Sequence, residues 1–426
     1  MTGAMYAAIA GLKTHMQNLN VIGNNIANVN TYGYKASRAV FKSSLYTTLS
    51  GGSNGTVTAG GTNPSQIGYG ATVASVDVDM STGNYAVTGN TTDMMLDGDG
   101  FFLVGSKEIA LNFDGSSDDV NRITAFTLTR VGDFQFRADG YLGKNDGNVV
   151  YGFLCTGLAK DEDVLAGRAK KVGDPMFSDQ LMPIRYPRVE TAYYAATGER
   201  LTKDEDIWET VTVNGVTTTH LKSGVTQGLA IAYPTTKYIG TDGKEVDGKR
   251  LYDAGYDATL EDSVLPQASF TGISIDQNTG IITATSDDTG EVVTIGCVAV
   301  GRVTNPNGVT NIGDNYYKAG EGSGQLRITV LGGNAANMRI SQVNKSLWTQ
   351  RTLENGQLDP NDNGEYSGLT IYSSASHIVS NGLEMSKTDL AQEIASMILT
   401  QRGYQANTRI ITVTDAMLEE LVNMKR

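Results

Sequence analysis

The sequence predicts a mainly β protein whose two ends are α-helical. Three observations support this fold class. The chain has 50 glycines but only 8 prolines in 426 residues, which favours turns between strands over disorder. Apolar residues at both ends alternate at spacings of four and three, which is typical of a coiled-coil seam. Between those ends the pattern changes to period-two alternation with Asp-Gly turns, which is typical of strands.

The amino-terminal helix is predicted from a seam that follows the four, three alternation without a slip. Its members are Met1, Met5, Ala8, Leu12, His15, Leu19, Ile22, Ile26 and Val29. The other faces carry Asn18, Asn20, Asn24, Asn25, Asn28 and Asn30. Asparagine has low helix propensity, so this helix needs a partner against which to bury its stripe.

A second seam at the carboxyl end can supply that partner. It consists of Leu390, Ile394, Met397, Gln401, Tyr404, Thr408, Ile411, Asp415, Leu418 and Val422. Three polar members, Gln401, Thr408 and Asp415, recur every seven residues, which is costly in a dry seam but acceptable in a wall that also meets water. We predict that the terminal helices pair with each other. The alternative is an ordinary two-helix bundle that caps a globular core.

Strands are predicted between the helices, at residues 72–80, 101–104, 125–130, 133–137, 272–284 and 291–303. From about Thr156 the pattern becomes irregular and acidic, and it returns to strands near the end of that region. This suggests a domain inserted into a strand-rich domain. We therefore predict four parts: a coiled-coil domain (1–30 and 385–426), a connector (31–75 and 363–384), a β-rich domain (76–155 and 297–362) and an inserted β-rich domain (156–296).

The two cysteines stand at the predicted borders of the insertion. Inserted domains usually leave and rejoin their host on adjacent strands, so we expect Cys155 and Cys297 to be near neighbours. Their surroundings are apolar and strand-like, which favours buried thiols that pack as small hydrophobic groups. Two unrelated core cysteines, and a disulfide if the geometry permits one, are the alternatives.

Charge argues against nucleic acid partners, and hydropathy argues against insertion into a membrane. The net charge is −13, with 22 acidic residues in 156–296. Residues 1–76 carry four basic residues and no acidic one. Phosphates favour clustered Lys and Arg, so no nucleic acid binding is expected. No apolar run reaches the roughly 18 residues of a membrane-spanning helix. The amino terminus also lacks the pattern of a cleaved secretion signal.

Catalytic and metal chemistry has little support in the sequence. The histidines, His15, His220 and His377, are isolated, and no zinc, phosphate-loop or nucleophile-elbow motif occurs. The loop that begins at Asp359 resembles a calcium loop, but Thr370 stands where the chelating carboxylate belongs. We predict no enzyme activity, no cofactor and no metal. The open alternative is an enzymatic inserted domain that uses His220.

Several motifs resemble the bacterial flagellar rod, hook and hook-associated axial protein family. Residues 19–35 (LNVIGNNIANVNTYGYK) resemble its amino-terminal signature. The segments at 61–70 (GTNPSQIGYG), 97–102 (DGDGFF) and 129–134 (TRVGDF) follow in family order. The carboxyl end, with GLEMS at 382–386 and TQRGYQAN at 400–407, is similar to the hook members in particular. Residues 156–296 match nothing that can be named.

The resemblance implies a structural subunit of the flagellar hook that polymerises into a hollow tube. The terminal helices would form an inner coiled-coil layer around a channel, with the β domains as outer shells. Such a tube joins rod to filament and transmits torque as a universal joint. A distal rod subunit of the same family is the alternative.

The resemblance also implies partners and a location. The implied partners are copies of the chain, the distal rod protein, the hook cap protein, the hook–filament junction protein, the export apparatus and the hook-length ruler. The implied location is the hook, outside the cell or in the periplasm where the flagellum is periplasmic, after export without a cleaved signal peptide.

We expect subunit assembly to depend on residues of both terminal segments. Near the amino end these are Leu12, Leu19, Ile22, Asn24, Asn25, Ile26, Asn28, Asn30, Gly33, Tyr34 and Lys35. Near the carboxyl end they are Leu390, Ile394, Met397, Gln401, Tyr404, Ile411 and Leu418.

Overall fold

A computed structural model gives the fold. It describes residues 2–55, 60–107, 111–112, 126–158, 161, 172–178, 180–201, 203–213, 216–231, 237–239, 245–247, 269–287, 290, 292–324, 326–331, 348–349, 365–366, 371–374 and 376–424. The calcium-like loop considered at Asp359 and Thr370 lies outside these residues. The chain divides into two compact units: the first unit comprises Met1–Asn84 and Met385–Arg426, and the second unit comprises Tyr85–Glu384.

The described residues of the first unit form two long helices and four strands. The helices are α1 (Thr2–Ala27) and α3 (Leu390–Met424). The strands are β1 (Ser37–Ser43), β2 (Tyr46–Ser50), β3 (Ser65–Gly68) and β4 (Ala71–Val78). Neither these helices nor any other described helix is both long and apolar enough to span a membrane.

The second unit contains β5 to β32, one helical turn α2 (Asp204–Ile207), and 3₁₀ turns at Pro306–Gly308 and Glu321–Ser323. Its strands are β5 (Tyr85–Val87), β6 (Met94–Asp97), β7 (Phe101–Gly105), β8 (Leu111–Asn112), β9 (Thr127–Thr129), β10 (Gln135–Phe136), β11 (Leu142–Gly143), β12 (Val149–Leu158), β13 (Pro175–Phe177), β14 (Gln180–Pro183), β15 (Arg188–Tyr194), β16 (Arg200–Leu201), β17 (Trp208–Val213), β18 (Val216–Leu221), β19 (Val225–Ile231), β20 (Lys237–Ile239), β21 (Glu245–Asp247), β22 (Phe270–Ile275), β23 (Ile281–Ser286), β24 (Val292–Val303), β25 (Thr310–Gly313), β26 (Tyr316–Lys318), β27 (Leu326–Leu331), β28 (Trp348–Thr349), β29 (Glu365–Tyr366), β30 (Ile371–Ser374), β31 (His377–Ser380) and β32 (Gly382–Glu384). The described residues are mostly β with a helix at each end, which confirms the predicted fold class.

In the first unit, α1 lies against a long antiparallel ribbon. β1 pairs with β4 and β2 pairs with β3, and backbone bonds at Ser44 and Tyr69 continue the ribbon between the two pairs. The Thr14 hydroxyl donates to the carbonyl of Ala71 at 2.8 Å, so α1 is fixed to β4 at mid-helix. Gly70 has φ of 99°, and an added Cβ there would lie 2.9 Å from Ala10 Cβ. Glycine at this position therefore permits close approach of ribbon and helix.

A 15-stranded sheet forms the body of the second unit. Its main path runs β10-β11-β12-β24-β7-β9-β26-β25, and β24 also pairs with β23 and β27. Most of β24 is buried, as its continuous apolar sequence requires of a strand covered on both faces. The core includes Met94, Phe102, Phe134, Val150 and Val300, with the rings of Phe102 and Phe134 packed edge to face at 5.2 Å.

The chain enters and leaves the second unit on paired strands. β5 pairs antiparallel with β32, and β6 pairs antiparallel with β31. Just outside this pair, in the first unit, the amide of Met385 donates to the carbonyl of Asn84 at 2.8 Å. The two crossing segments are therefore held side by side over several residues.

The strands that border the predicted insertion are also neighbours. β12 and β24 pair antiparallel, with Phe153 opposite Cys297. Cys155 lies two residues further along β12, and both cysteines are buried. The two cysteines are thus near neighbours on adjacent strands, as predicted. The structure shows no disulfide between these two described residues.

The predicted insertion, 156–296, contributes to more than one sheet. β13, β14, β22 and β23 hydrogen-bond into the large sheet, whereas β15, β16 and β19 form a separate sheet with a small core of Ala192, Leu201 and Val225. The predicted strand at 272–284 is two strands, β22 and β23, because Gly280 with φ of 67° turns the chain between them. The four-part domain division stays a prediction.

Candidate assembly site

The terminal helices pair antiparallel in the first unit. Asn18 donates to Thr400 Oγ1 at 2.9 Å, and Asn25 donates to Glu393 Oε1 at 2.9 Å. An added Cβ on Gly11 would lie 2.8 Å from Asn407, and one on Gly403 would lie 2.7 Å from His15. The residue numbers in each of these pairs add up to 418, so one straight register holds along the interface. The prediction that the two helices pair is confirmed.

The contacting seam is offset by one residue from much of the predicted apolar one. On α3 the contacts are made by Glu393, Thr400, Gly403 and Asn407, each next to a predicted position. On α1 the matching residues are Gly11, Asn18 and Asn25, next to the predicted Leu12, Leu19 and Ile26, whereas His15 belongs to both seams. Small and polar residues therefore set the closest approach of the helices. The sequence signal for this contact is a glycine inside each helix, Gly11 and Gly403, and the apolar periodicity takes no account of glycines.

The offset leaves apolar side chains of α3 exposed. Leu390, Ile394 and Ile398 are between 43 % and 52 % exposed, and a stripe of Ile410, Val413, Met417, Leu421 and Met424 is between 45 % and 83 % exposed. Gln401, Thr408 and Asp415, expected in the seam, are exposed as well. The apparent cost of polar residues in a dry seam therefore does not arise at these three positions. The exposed apolar area is instead typical of a surface that another molecule covers.

The asparagine-rich signature forms a hydrogen-bond network at the end of α1. The side chain of Asn25, which is 1 % exposed, donates to the carbonyl of Ser37 at 2.7 Å and accepts from the Ser37 amide at 2.9 Å. Its oxygen also accepts from the Tyr34 hydroxyl at 3.0 Å. Burial raises the pKa of Tyr34, and the nearby Glu393 carboxylate raises it further. The network joins α1, β1 and α3.

Four further members of the signature complete this corner. Asn24 donates to the Tyr34 hydroxyl at 3.0 Å, and Asn28 donates to the carbonyl of Asn24 at 2.9 Å. Gly33 is buried with φ of 67°, a conformation that favours glycine. Buried Lys35 donates to the carbonyl of Ser81 at 2.8 Å.

The structure divides the predicted assembly residues into three groups. Ile22, Asn25, Gly33, Tyr34 and Lys35 are buried within the chain. The half-buried ones are Leu12, Leu19, Ile26, Asn28, Met397, Tyr404, Ile411 and Leu418. The exposed ones are Asn24, Asn30, Leu390, Ile394 and Gln401. The buried group holds one chain together, whereas the exposed group is open to a neighbour. Their role between subunits stays a prediction.

No constellation of catalytic or metal-binding groups emerges in the parts of the chain that the structure describes. No group of three or more His, Cys, Asp or Glu side chains among those residues could hold a metal. His220 lies exposed on β18, with its Nε2 2.9 Å from the Thr218 hydroxyl. Glu209 stands directly opposite it in the β17–β18 pair, so the neighbours of the imidazole are one exposed carboxylate and one hydroxyl on a two-stranded hairpin.

Two family models match the ends of the chain. Residues 5–35 match the model "Flagella basal body rod protein", and residues 379–424 match the model "Flagellar basal body rod FlgEFG protein C-terminal". The first covers most of α1 and the asparagine network. The second covers α3 and the strands that lead to it. Both matches thus fall on the segments that form the paired helices.

Curated relatives extend the similarity to the whole chain. The flagellar hook protein FlgE of Borreliella burgdorferi is 26 % identical, with all of both chains covered. The flagellar basal-body rod protein FlgG of Bacillus subtilis is 27 % identical, also over all of both chains. FlgE of Helicobacter mustelae is 34 % identical over 38 % of this chain and 33 % of its own.

A solved structure, flagellar hook protein FlgE2 of Helicobacter pylori, matches with a TM-score of 0.29 and 12 % identity. The match covers 59 % of this chain and 97 % of that one, and a likeness this low supports no structural conclusion. The family assignment rests instead on the two terminal matches and the full-length relatives. By these similarities the chain belongs to the flagellar rod and hook proteins, the structural subunits of the flagellar axis.

Proposed function

We propose that this chain is the structural subunit of the flagellar hook. In this proposal it polymerises into a flexible hollow tube that joins rod to filament and transmits torque as a universal joint. The family makes self-assembly in the flagellar axis the common function of rod and hook members. Beyond this common function, we propose that the chain forms the hook and that the hook acts as a mechanical joint.

The observation that carries the proposal is the exposed apolar surface of α3. At roughly 25 cal/mol per Å² of apolar surface, covering these side chains would contribute several kcal/mol to each contact between subunits. The closest contacts to α1 are small or polar, so much of the apolar side of α3 remains for neighbours. A helix pair with this distribution is suited to an assembly in which copies surround one another.

The second unit supports a joint that bends without unfolding. It has its own buried core, so it can remain folded while its surface contacts change. Many of its outer strands are polar and exposed, as in the hairpin of β17 and β18. Polar, hydrated contacts of this kind exchange more readily than close-packed apolar ones. We propose that such contacts between copies permit bending while the helix layer resists twisting.

Partners and location follow from the hook assignment. The proposed neighbours are further copies, the distal rod protein, the hook cap protein and the hook–filament junction protein. During assembly the chain would meet the export apparatus and the hook-length ruler. We propose that it acts outside the cell, or in the periplasm of an organism with periplasmic flagella.

A distal rod subunit is the second candidate, because a full-length relative carries the name of a rod protein. Immunogold labelling of purified hook–basal bodies with an antibody against this chain separates the two. Label along the curved segment between the cell envelope and the filament supports the hook. Label confined to the straight shaft inside the envelope supports the rod and rejects the hook. The absence of label from both rejects both.

A further inference from the structure

The first unit carries a groove and an exposed ridge that fit each other in two different copies. We infer that the ridge formed by Met417, Leu421 and Met424 of α3 docks into the groove between α1 and β4 of the next subunit. This inference rests on the proposed self-assembly, and it names the surfaces that would make one of the contacts.

The groove is open and mostly apolar, with a volume of about 770 Å³. One wall is a single face of α1 that includes Tyr6, Ile9, Lys13 and Gln17, spaced three and four residues apart. The other wall is formed by the start of β4 and by Tyr69 before it. The opposite side of α1 contacts α3 of the same chain, so this groove remains open to a second helix.

The ridge lies on the part of α3 that extends past α1. Since the paired residue numbers add up to 418, Thr2 at the start of α1 lies level with about Ala416. The last residues of α3, from Met417 onward, therefore lie beyond the described turns of α1. Met417, Leu421 and Met424 are 50 %, 46 % and 83 % exposed and share one face, four and three residues apart. An apolar helical ridge of this length is suited to a helix-sized groove.

Charge favours the same pairing. Residues 1–76, which form all of the groove, contain basic residues and no acidic one. Of the acidic residues near the end of α3, Glu420 lies beside the ridge, whereas Glu419 and Asp415 lie on the other side of the helix. Lys13 lines the groove, where it can meet Glu420 of the docked helix. The groove and the ridge thus have complementary charge as well as matching apolar faces.

The two surfaces are different parts of one chain, so their contact is heterologous. Such a contact gives each copy one free groove and one free ridge, and its repetition builds an open helical array wherever the rotation between copies does not close into a ring. The occupant that fits is therefore a second copy of this chain, and the product is a polymer.

Cysteine crosslinking in purified flagellar axial structures tests the inference. Cells co-express two full-length variants with different tags, Thr72→Cys in the groove and Leu421→Cys on the ridge. Cys155 and Cys297 are buried, so they contribute little background. Mild oxidation should give a disulfide-linked species that carries both tags.

The matched control pairs Leu421→Cys with Val76→Cys, which is exposed on β4 like Thr72 but lies outside the groove. We expect at least tenfold less product from the control.

The outcomes separate this inference from the function on which it rests. Axial structures that contain both variants but give no excess of the doubly tagged species would overturn the groove assignment and leave the proposed function intact. A crosslink from Thr72→Cys to a different protein would reject a second copy as the occupant. If wild-type chain is absent from axial structures, the proposed function fails first.

A charge exchange covers the case in which the cysteine variants do not assemble. Lys13→Glu and Glu420→Lys should each reduce the number of assembled structures at least fivefold, and the double variant should recover most of them. Thermal unfolding of each monomer serves as the control for folding. No recovery in the double variant, with all monomers folded, contradicts the docking.

Discussion

Arg130 and Glu384 form a buried ion pair in the second unit, with Nη1 3.7 Å from Oε2 and side chains only 2 % and 1 % exposed. The guanidinium also donates to the carbonyls of Leu96 at 3.0 Å and Gly98 at 2.7 Å. Burial lowers the pKa of Arg130, and Glu384 acts in the opposite direction. One side chain thus joins the turn between β6 and β7 to β32, the strand on which the chain leaves the unit.

Glu384→Gln should strongly destabilise the second unit. It leaves the buried guanidinium without its counter-charge, which typically costs about 3–5 kcal/mol. The matched control is Arg302→Gln, which breaks the exposed pair with Asp99 and should cost under about 1 kcal/mol. Urea denaturation of the full chain, followed by tryptophan fluorescence, measures both. Equal midpoints for the two variants would contradict the importance of the buried pair.

Asn25→Ala should loosen the corner between α1, β1 and α3. It removes the hydrogen-bond partner of both backbone groups of Ser37 and of the Tyr34 hydroxyl, at about 1–3 kcal/mol for a buried group left unsatisfied. Asn30→Ala, at an exposed position in the same signature, should change stability by about 0.5 kcal/mol or less. Hydrogen exchange at residues 20–40 of the monomer would show the difference, and equal protection in both variants would count against the network.

Ile394→Asp should block polymerisation without unfolding the monomer. Ile394 is 45 % exposed in the single chain, so the aspartate is tolerated there. In the proposed assembly a neighbour covers it, and a buried unpaired carboxylate then costs several kcal/mol. Ile312→Asp on β25, 52 % exposed in the second unit, is the matched control. Secretion into the medium, circular dichroism and electron microscopy report export, folding and tube formation. Normal hooks in a motile Ile394→Asp strain would refute the assembly role.

The free energy of unfolding should fall in acid as Asp146 becomes protonated. Burial raises the pKa of this carboxyl, but hydrogen bonds from Tyr316 and Asn148 and the charge of Lys144 lower it on balance. Because the folded pKa is depressed, its contribution is present above about pH 4 and is lost as the pH falls through the folded value. Tyr316→Phe removes one of these bonds and should flatten the dependence of unfolding on pH below about 4. If the free energy of unfolding of Tyr316→Phe depends on pH as in the wild type, Asp146 is not the source of the acid sensitivity.

Neither cysteine should react with a thiol reagent in the folded protein. Cys297 is fully excluded from solvent and Cys155 is 6 % exposed. Burial raises the pKa of Cys297, which suppresses the reactive thiolate. Ellman titration should show two reactive thiols only after denaturation. Rapid reaction of either residue in native protein would contradict the buried arrangement of β12 and β24.

Sequence reasoning recovered the fold class because both helices and many strands carry strong periodic signals. The turns at Gly140 and Gly147 adopt φ of 77° and 102°, as the Asp-Gly pairs predict. The packing face of α3 was harder to predict, because the apolar pattern marks every surface that becomes buried, in the chain or in an assembly. Leu390 and Ile394 follow the pattern yet are exposed, whereas Thr400 breaks it and is buried.

The hydrogen-bond network around Asn25 could not be predicted from the sequence. Its bonds join residues that periodicity treats as unrelated, such as Asn25 and Glu393 at opposite ends of the chain. Arg130 and Glu384 present the same problem, since each lies in a motif of its own. The pairing of β6 with β31 and of β5 with β32 brings the second motif near the first. Long-range polar contacts of this kind depend on topology, which local patterns do not encode.

The paired strands β5 and β32 also set the order in which the chain can fold. Asn25 and Glu393 are 368 residues apart, so direct pairing of α1 with α3 must close a very long loop. Once the second unit has formed, its ends are held together and the loop that remains is about 70 residues, which lowers the closure cost by about 1.5 kcal/mol. Helix pairing is therefore favoured as the last step. A subunit can then reach the growing assembly with its second unit folded and its terminal helices still unpaired. Each helix can pair either with the other helix of its own chain or with helices of subunits that are already assembled.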